Sequence, residues 1–169
     1  MRRLFLIRHA KTEPQSGMPD AERRLLPRGH ADAARLAEWF RKNRQSADAL
    51  VHSTAVRAIE TADALAQGWL PQAPRIVKAE LYAAPWRVIL GSVRDFPDTT
   101  QSAAIVAHNP GMFELANILT GSGEPAARTR LMEGLPTCGC AVLDFSLASW
   151  TKLETGSGRL SLFLTPDNF

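Results

Sequence analysis

Cysteine is almost absent from this chain: among 169 residues only Cys138 and Cys140 occur, separated by one glycine. A disulfide between such close neighbours would be strained, and two thiols cannot complete a zinc site. The pair reads as two small residues near a strand, and a reducing, cytoplasmic setting follows from it. An excess of one charge is also missing, since 20 Lys and Arg face 17 Asp and Glu, a formal net charge of +3. That balance, with no aromatic residues interleaved among basic ones, offers no nucleic-acid surface. No apolar run approaches the ~18 residues of a membrane span. The N-terminus starts basic and then apolar, but Leu4-Phe5-Leu6-Ile7 stops at Arg8, too short for a secretory signal, so the chain is expected to be soluble and unprocessed. Repeats, low-complexity tracts and linkers are absent. The length therefore suits one domain spanning residues 1–169, and the lack of a long amphipathic segment makes a monomer the default.

What is present is an alternation of short apolar runs with helical patterns. Leu4 to Ile7 reads as a strand buried on both faces, delivering Arg8-His9-Ala10-Lys11 into a polar loop with Pro14, Gly17 and Pro19. Ala33, Leu36, Ala37 and Phe40 mark a helix from about Gly29 to Asn43. Ala49-Leu50-Val51 is a second strand, ending in His52-Ser53-Thr54, and a helix follows from about Val56 to Trp69. Arg75 to Lys78 reads as a short edge strand, and Pro85 to Phe96 as a helix with a Trp86, Ile89-Leu90, Val93 stripe. Ala103 to Ala107 is a third apolar strand, terminating at His108-Asn109-Pro110-Gly111 before a helix from Met112 to Thr120. Gly121 to Pro125 reads as a break. Strands at Ala141–Phe145 and Leu160–Leu164 are expected to flank a polar, mobile connection from Trp150 to Gly158.

Such alternation predicts an α/β domain with a mostly parallel central sheet flanked on both faces by helices. Ligands bind such sheets beyond the carboxyl ends of the strands. Three strand ends here finish in Arg8-His9, in the segment from Ser53 to Arg57, and in His108. Each residue alone has a plain structural reading: His108 as a capping or packing residue, Arg57 as solvated or paired with Glu60. Gathered together, two arginines suit phosphate oxygens, and two histidines can supply a nucleophile and a partner for developing negative charge. No acidic cluster with magnesium-ligand character sits on these strand ends, so a route without metal or other cofactor is expected.

The combination resembles the histidine phosphatase superfamily, which includes phosphoglycerate mutases. Leu6-Ile7-Arg8-His9-Ala10 is similar to its Arg-His-Gly signature, with alanine in place of glycine, and Leu25-Leu26-Pro27-Arg28-Gly29 to the segment opening its first helix. Ser53-Thr54-Ala55-Val56-Arg57-Ala58 with Glu60-Thr61 resembles its phosphate-binding arginine element. Ile105-Val106-Ala107-His108-Asn109-Pro110-Gly111 resembles the second histidine motif of the SixA-type branch, as does Leu135-Pro136-Thr137 further on. The resemblance implies a phosphoglycerate mutase-like fold and a nucleophilic His9 that becomes phosphorylated. Arg8, Arg57 and His108 would complete the phosphate pocket, and Glu80 would lie at the acid/base position. The short stretch between Glu80 and His108 implies a minimal version without a helical lid. An open site of that kind suits a phosphorylated protein of the histidine phosphotransfer type, whose imidazole leaving group, with a pKa of roughly 6.5, makes little demand on an acid. A phosphomonoesterase for a small phosphorylated substrate is the rival, and a non-catalytic phosphate- or phosphoprotein-binding module is the alternative from another class.

Overall fold

The computed structural model describes residues 1–169 and forms a seven-stranded sheet. Its strands are β1 (Arg2–Arg8), β2 (Ala49–His52), β3 (Arg75–Val77), β4 (Ser102–Ala107), β5 (Thr120–Gly123), β6 (Cys140–Phe145) and β7 (Gly158–Leu164). Their order across the sheet is β3-β2-β4-β1-β6-β7-β5. The first four run parallel, β6 is antiparallel to both β1 and β7, and β5 returns parallel to β7. The expected mostly parallel α/β sheet is therefore what forms.

The helices are α1 (Pro27–Lys42), α2 (Val56–Gly68), α3 (Trp86–Arg94), α4 (Gly111–Leu119) and α5 (Pro125–Glu133). They cover both faces, and β1 explains how. Its side chains alternate, so that Phe5 and Ile7 join Leu36 and Phe40 of α1 and Leu65 of α2 in one core. Leu4 and Leu6 join Ile89 and Val93 of α3 and Leu115 of α4 in the other. A strand apolar at every position is what burial on both faces demands. The stripe of α3 lies in this core, so the segment between Glu80 and His108 adds no helix above the sheet edge.

Two expectations for the C-terminal third are corrected. The stretch from Gly121 to Pro125 is not simply a break: Thr120–Gly123 forms edge strand β5, and α5 follows directly. Helix α5 buries only Leu131, so it carries no amphipathic stripe to betray it. Its signal was local, in Glu124, whose carboxylate caps Ala126 N and Ala127 N, followed by Pro125 in the first turn. The Trp150–Gly158 connection is not a loose polar loop either. Trp150 and Leu153 are fully buried, and Trp150 Nε1 donates to the Thr100 carbonyl at 2.7 Å. Gly156 N donates to the Ile118 carbonyl at 2.8 Å, and Arg94 Nε to the Leu153 carbonyl at 3.1 Å.

Candidate active site

Strand register brings the three polar strand ends together. β4 lies between β1 and β2, with Arg8 opposite Ala107 and His52 opposite Val106. The residues just beyond, His9, Ser53 and His108, are therefore neighbours at one sheet edge. The His9 and His108 rings lie 5.1 Å apart, and Ser53 Oγ is 2.6 Å from His108 Nε2. Arg57, in the first turn of α2, reaches the same place. Arg8, His9, Arg57 and His108 line one cavity of about 450 Å³, with Lys11 and Arg23 on its wall.

The backbone around His9 is held from several sides. Its Nδ1 lies 2.9 Å from the Ala10 carbonyl, so that nitrogen carries the proton and Nε2 keeps its lone pair. Ala10 N donates to Thr61 Oγ1 at 3.0 Å, and that hydroxyl donates to the Arg57 carbonyl at 2.7 Å. Thr61 thereby ties the His9 loop to the start of α2. On the other side, Cys138 N donates to the carbonyls of Arg8 and His9 at 3.1 and 3.0 Å. The adjacent Leu135 carbonyl accepts from Arg8 Nη1 at 3.1 Å and from Asn109 Nδ2 at 2.9 Å. Both cysteines are buried free thiols, and burial pushes their pKa values up, leaving them as packing residues.

Electrostatics single out the same place. Burial, reinforced by the charges of His108, Arg57 and Arg8, pushes His9 down to about 3, against the raising effect of its bond to Ala10. Burial and the charges of Arg57 and Arg8 push His108 down to about 4, with Asp20 opposing. Both rings are thus neutral at pH 7, and His9 Nε2 is available to attack an electrophile. Burial alone lowers Arg8, which pairs with no carboxylate. Buried polar atoms without a protein partner are uncommon in folded chains. Here Arg8 Nε, His108 Nδ1 and Asn109 Oδ1 are such atoms, and all three residues line this cavity. The unspent Arg8 Nε and His108 Nδ1, with the guanidinium groups of Arg8 and Arg57 beside a neutral imidazole, can bind a phosphoryl group and pass it to His9.

Of the residues named from the sequence, Arg8, His9, Arg57 and His108 stand together. Glu80 stands apart: it lies in a short 3-10 turn (Ala79–Leu81), its side chain is 52% exposed and faces Lys78 Nζ at 3.7 Å, and it is not part of the cavity lining. The carboxylate that does reach this machinery is Asp20, unmarked in the sequence among the acidic residues of the loop before α1. Its Oδ2 accepts from Arg57 Nη2 at 2.9 Å and from the Tyr82 hydroxyl at 2.7 Å. Arg57 therefore pairs with Asp20 and not with Glu60, which instead accepts from Leu25 N at 2.8 Å.

Known proteins with this fold include phosphohistidine phosphatases and phosphatases of small metabolites, among them an alpha-ribazole-5'-P phosphatase candidate from Escherichia coli. The family model of the histidine phosphatase superfamily (branch 1) matches residues 4–82. An uncharacterized protein of Mycobacterium leprae is 34% identical over 165 residues, covering 95% of this chain and 99% of its own length. A crystal structure from Agrobacterium tumefaciens, described as a candidate phosphohistidine phosphatase SixA, superposes with a TM-score of 0.83 at 30% identity, covering 98% of each chain. A second candidate SixA, from Nakamurella multipartitia, has a TM-score of 0.83 at 26% identity, covering 98% of this chain and 96% of its own.

Proposed function

Because this chain belongs to the histidine phosphatase superfamily, in its SixA-type branch, and is a phosphatase, we propose that it hydrolyses phosphohistidine on a protein through a phosphorylated His9. In the first step His9 Nε2 attacks phosphorus while the P–N bond of the substrate breaks, its electron pair staying on the leaving ring nitrogen, which takes a proton from solvent water. In the second, water attacks phospho-His9 and releases inorganic phosphate, restoring the neutral ring. Arg8 and Arg57 neutralise the phosphoryl oxygens throughout, and His108 Nδ1, buried without a protein partner, donates to one of them. Ser53 orients that tautomer by giving its hydroxyl proton to Nε2. The charge is met by side chains of the protein, so turnover is expected to persist in the presence of a chelator.

The observation that carries the protein-substrate reading is the room beside the catalytic cavity. A trough of about 730 Å³ shares Arg8 and Asn109 with it and continues past Phe113, Arg130 and Leu135 to Phe163. No segment covers it, so a phosphorylated side chain on a folded partner can enter with its surroundings attached. Glu80, exposed and off the lining, leaves the site without an obvious strong acid on that segment, which suits imidazole better than an alkoxide. The test is the ratio of kcat/KM for a phosphohistidine peptide and p-nitrophenyl phosphate, with His9→Ala as the control. The expected result favours phosphohistidine and vanishes in the variant. A preference for the ester would move the reading to a small-molecule phosphatase. Binding of phosphate without turnover of either compound would leave a phosphate-binding module.

A further inference from the structure

The short 3-10 turn Asp20–Glu22 sits against α2, joined to it through Asp20 and Arg57. Two contacts from Asp20 grip one guanidinium. Arg57 Nη1 donates to the Asp20 carbonyl at 2.6 Å, and Arg57 Nη2 to Asp20 Oδ2 at 2.9 Å. These occupy the end-on edge of the Arg57 fork and leave its Nε edge out of the pairing. The other oxygen, Oδ1, accepts from Arg23 Nη1 at 2.9 Å, while Arg23 Nε donates to the Glu13 carbonyl at 2.8 Å. Arg23 and Arg57 both line the catalytic cavity, and Asp20 does not. The carboxylate therefore stands behind two arginines that face the substrate.

Tyr82 fixes the carboxylate in turn. Its hydroxyl donates to Asp20 Oδ2 at 2.7 Å, its ring lies edge-on to His108 with centroids 5.7 Å apart, and the Arg57 guanidinium carbon lies 6.0 Å from its centre. Tyr82, Arg23 and Arg57 together hold the Asp20 carboxyl well below the usual carboxylate range, so it is charged at any working pH. A fixed anion is a poor proton donor. It is well suited to orienting cations, in the way a buried carboxylate orients a catalytic imidazole.

We propose that Asp20 is a positioning residue which aims Arg57 and Arg23 into the cavity, and that Arg23 is a further substrate-binding arginine of the site. The inference rests on the reading of the cavity as a phosphatase site, which wild-type turnover in the same assay tests separately. The experiment compares Asp20→Asn, Tyr82→Phe, Arg23→Ala and the Asp20→Asn/Arg23→Ala double variant, with Glu22→Gln as a control that removes a charge from the same turn. Readouts are kcat and KM with p-nitrophenyl phosphate, inhibition by inorganic phosphate, and Tm. Asp20→Asn is expected to lower kcat/KM by about 10- to 100-fold and to weaken phosphate inhibition, as misaimed binding groups do. Tyr82→Phe follows in the same direction with a smaller loss, and Glu22→Gln matches wild type. The double variant loses less than the product of the single losses, because both act through one network. A merely structural Asp20 would lower Tm with losses that multiply, and that result overturns the proposal. So does Asp20→Asn turnover within about twofold of wild type, or above it, the latter marking Asp20 as an internal competitor for Arg57. If Asp20→Asn fails to fold, Tyr82→Phe and Arg23→Ala decide by the same phosphate-inhibition criterion.

Discussion

Strand β1 begins and ends in an arginine, and the two ends are built on opposite principles. At the start, Arg2 is 2% exposed and its two terminal nitrogens are spent on the protein. They donate to the carbonyls of Thr100, Asp98 and Ala148 and to the Asp98 carboxylate, over the ring of Trp150. At the finish, Arg8 is only half-buried and makes one side-chain hydrogen bond, to Leu135; the buried Nε of each arginine has no partner, but only Arg8 lines the catalytic cavity. The same residue type serves as mortar at one edge of the sheet and is held in reserve at the other. Protein-satisfied polarity marks architecture, and unsatisfied polarity in a cavity marks a place prepared for a ligand.

Exchanging the two arginines' neighbourhoods is not possible, but removing each arginine sharpens the contrast. Arg8→Ala is expected to lower kcat/KM by about 10²- to 10³-fold, the usual cost of losing a donor aimed at developing charge, with little change in Tm. Arg2→Met should do the reverse. Its orphaned carbonyls and emptied stacking site beside Trp150 lower Tm by roughly 5 °C while kcat/KM stays within about twofold. Loss of rate in Arg2→Met, or a large drop in Tm in Arg8→Ala, would erase the distinction between the two ends.

A smaller effect separates the two edges by pH. His9 and His108 are buried neutral, pushed down to about 3 and about 4, against roughly 6.5 in an unfolded chain. With folded values below unfolded ones, their neutral burial costs nothing above about pH 6.5, and stability is lost as pH falls from there toward 4 and 3. Thermal melts from pH 7 to pH 4 should therefore show a falling Tm, and His9→Asn should shallow that fall. Arg2 makes its contacts with Asp98, Thr100, Ala148 and Trp150 and not with either histidine, so Arg2→Met should leave the part of the slope due to His9 and His108 as in wild type.

How much of this was legible in the sequence follows from which signals are local. Buried strands such as Leu4–Ile7 and Ala103–Ala107 declare themselves as unbroken apolar runs, and the helices α1 to α4 by their stripes. The parallel sheet and its loaded edge were readable from these alone. Helix α5 was not, because its single buried residue leaves no periodicity, and the Trp150 connection was misjudged because three anchoring contacts hide in a polar segment. At the site, Arg8, His9, Arg57 and His108 follow strand ends or a helix start and could be picked by position. Asp20 and Arg23 could not, since their importance comes from a loop folding back onto α2, a contact 37 residues distant in sequence. Glu80 illustrates the converse, a residue chosen by motif position that the fold leaves exposed beside Lys78.

The central claim is that His9 carries the phosphoryl group. The direct measurement is rapid quenching of enzyme mixed with a phosphohistidine peptide, followed by mass spectrometry of its peptides under alkaline conditions that preserve phosphoramidates. One phosphoryl group is expected on His9, formed and lost at rates compatible with turnover and absent from His9→Ala. Turnover with an unmodified His9, or a phosphoryl group trapped on another residue, would contradict it.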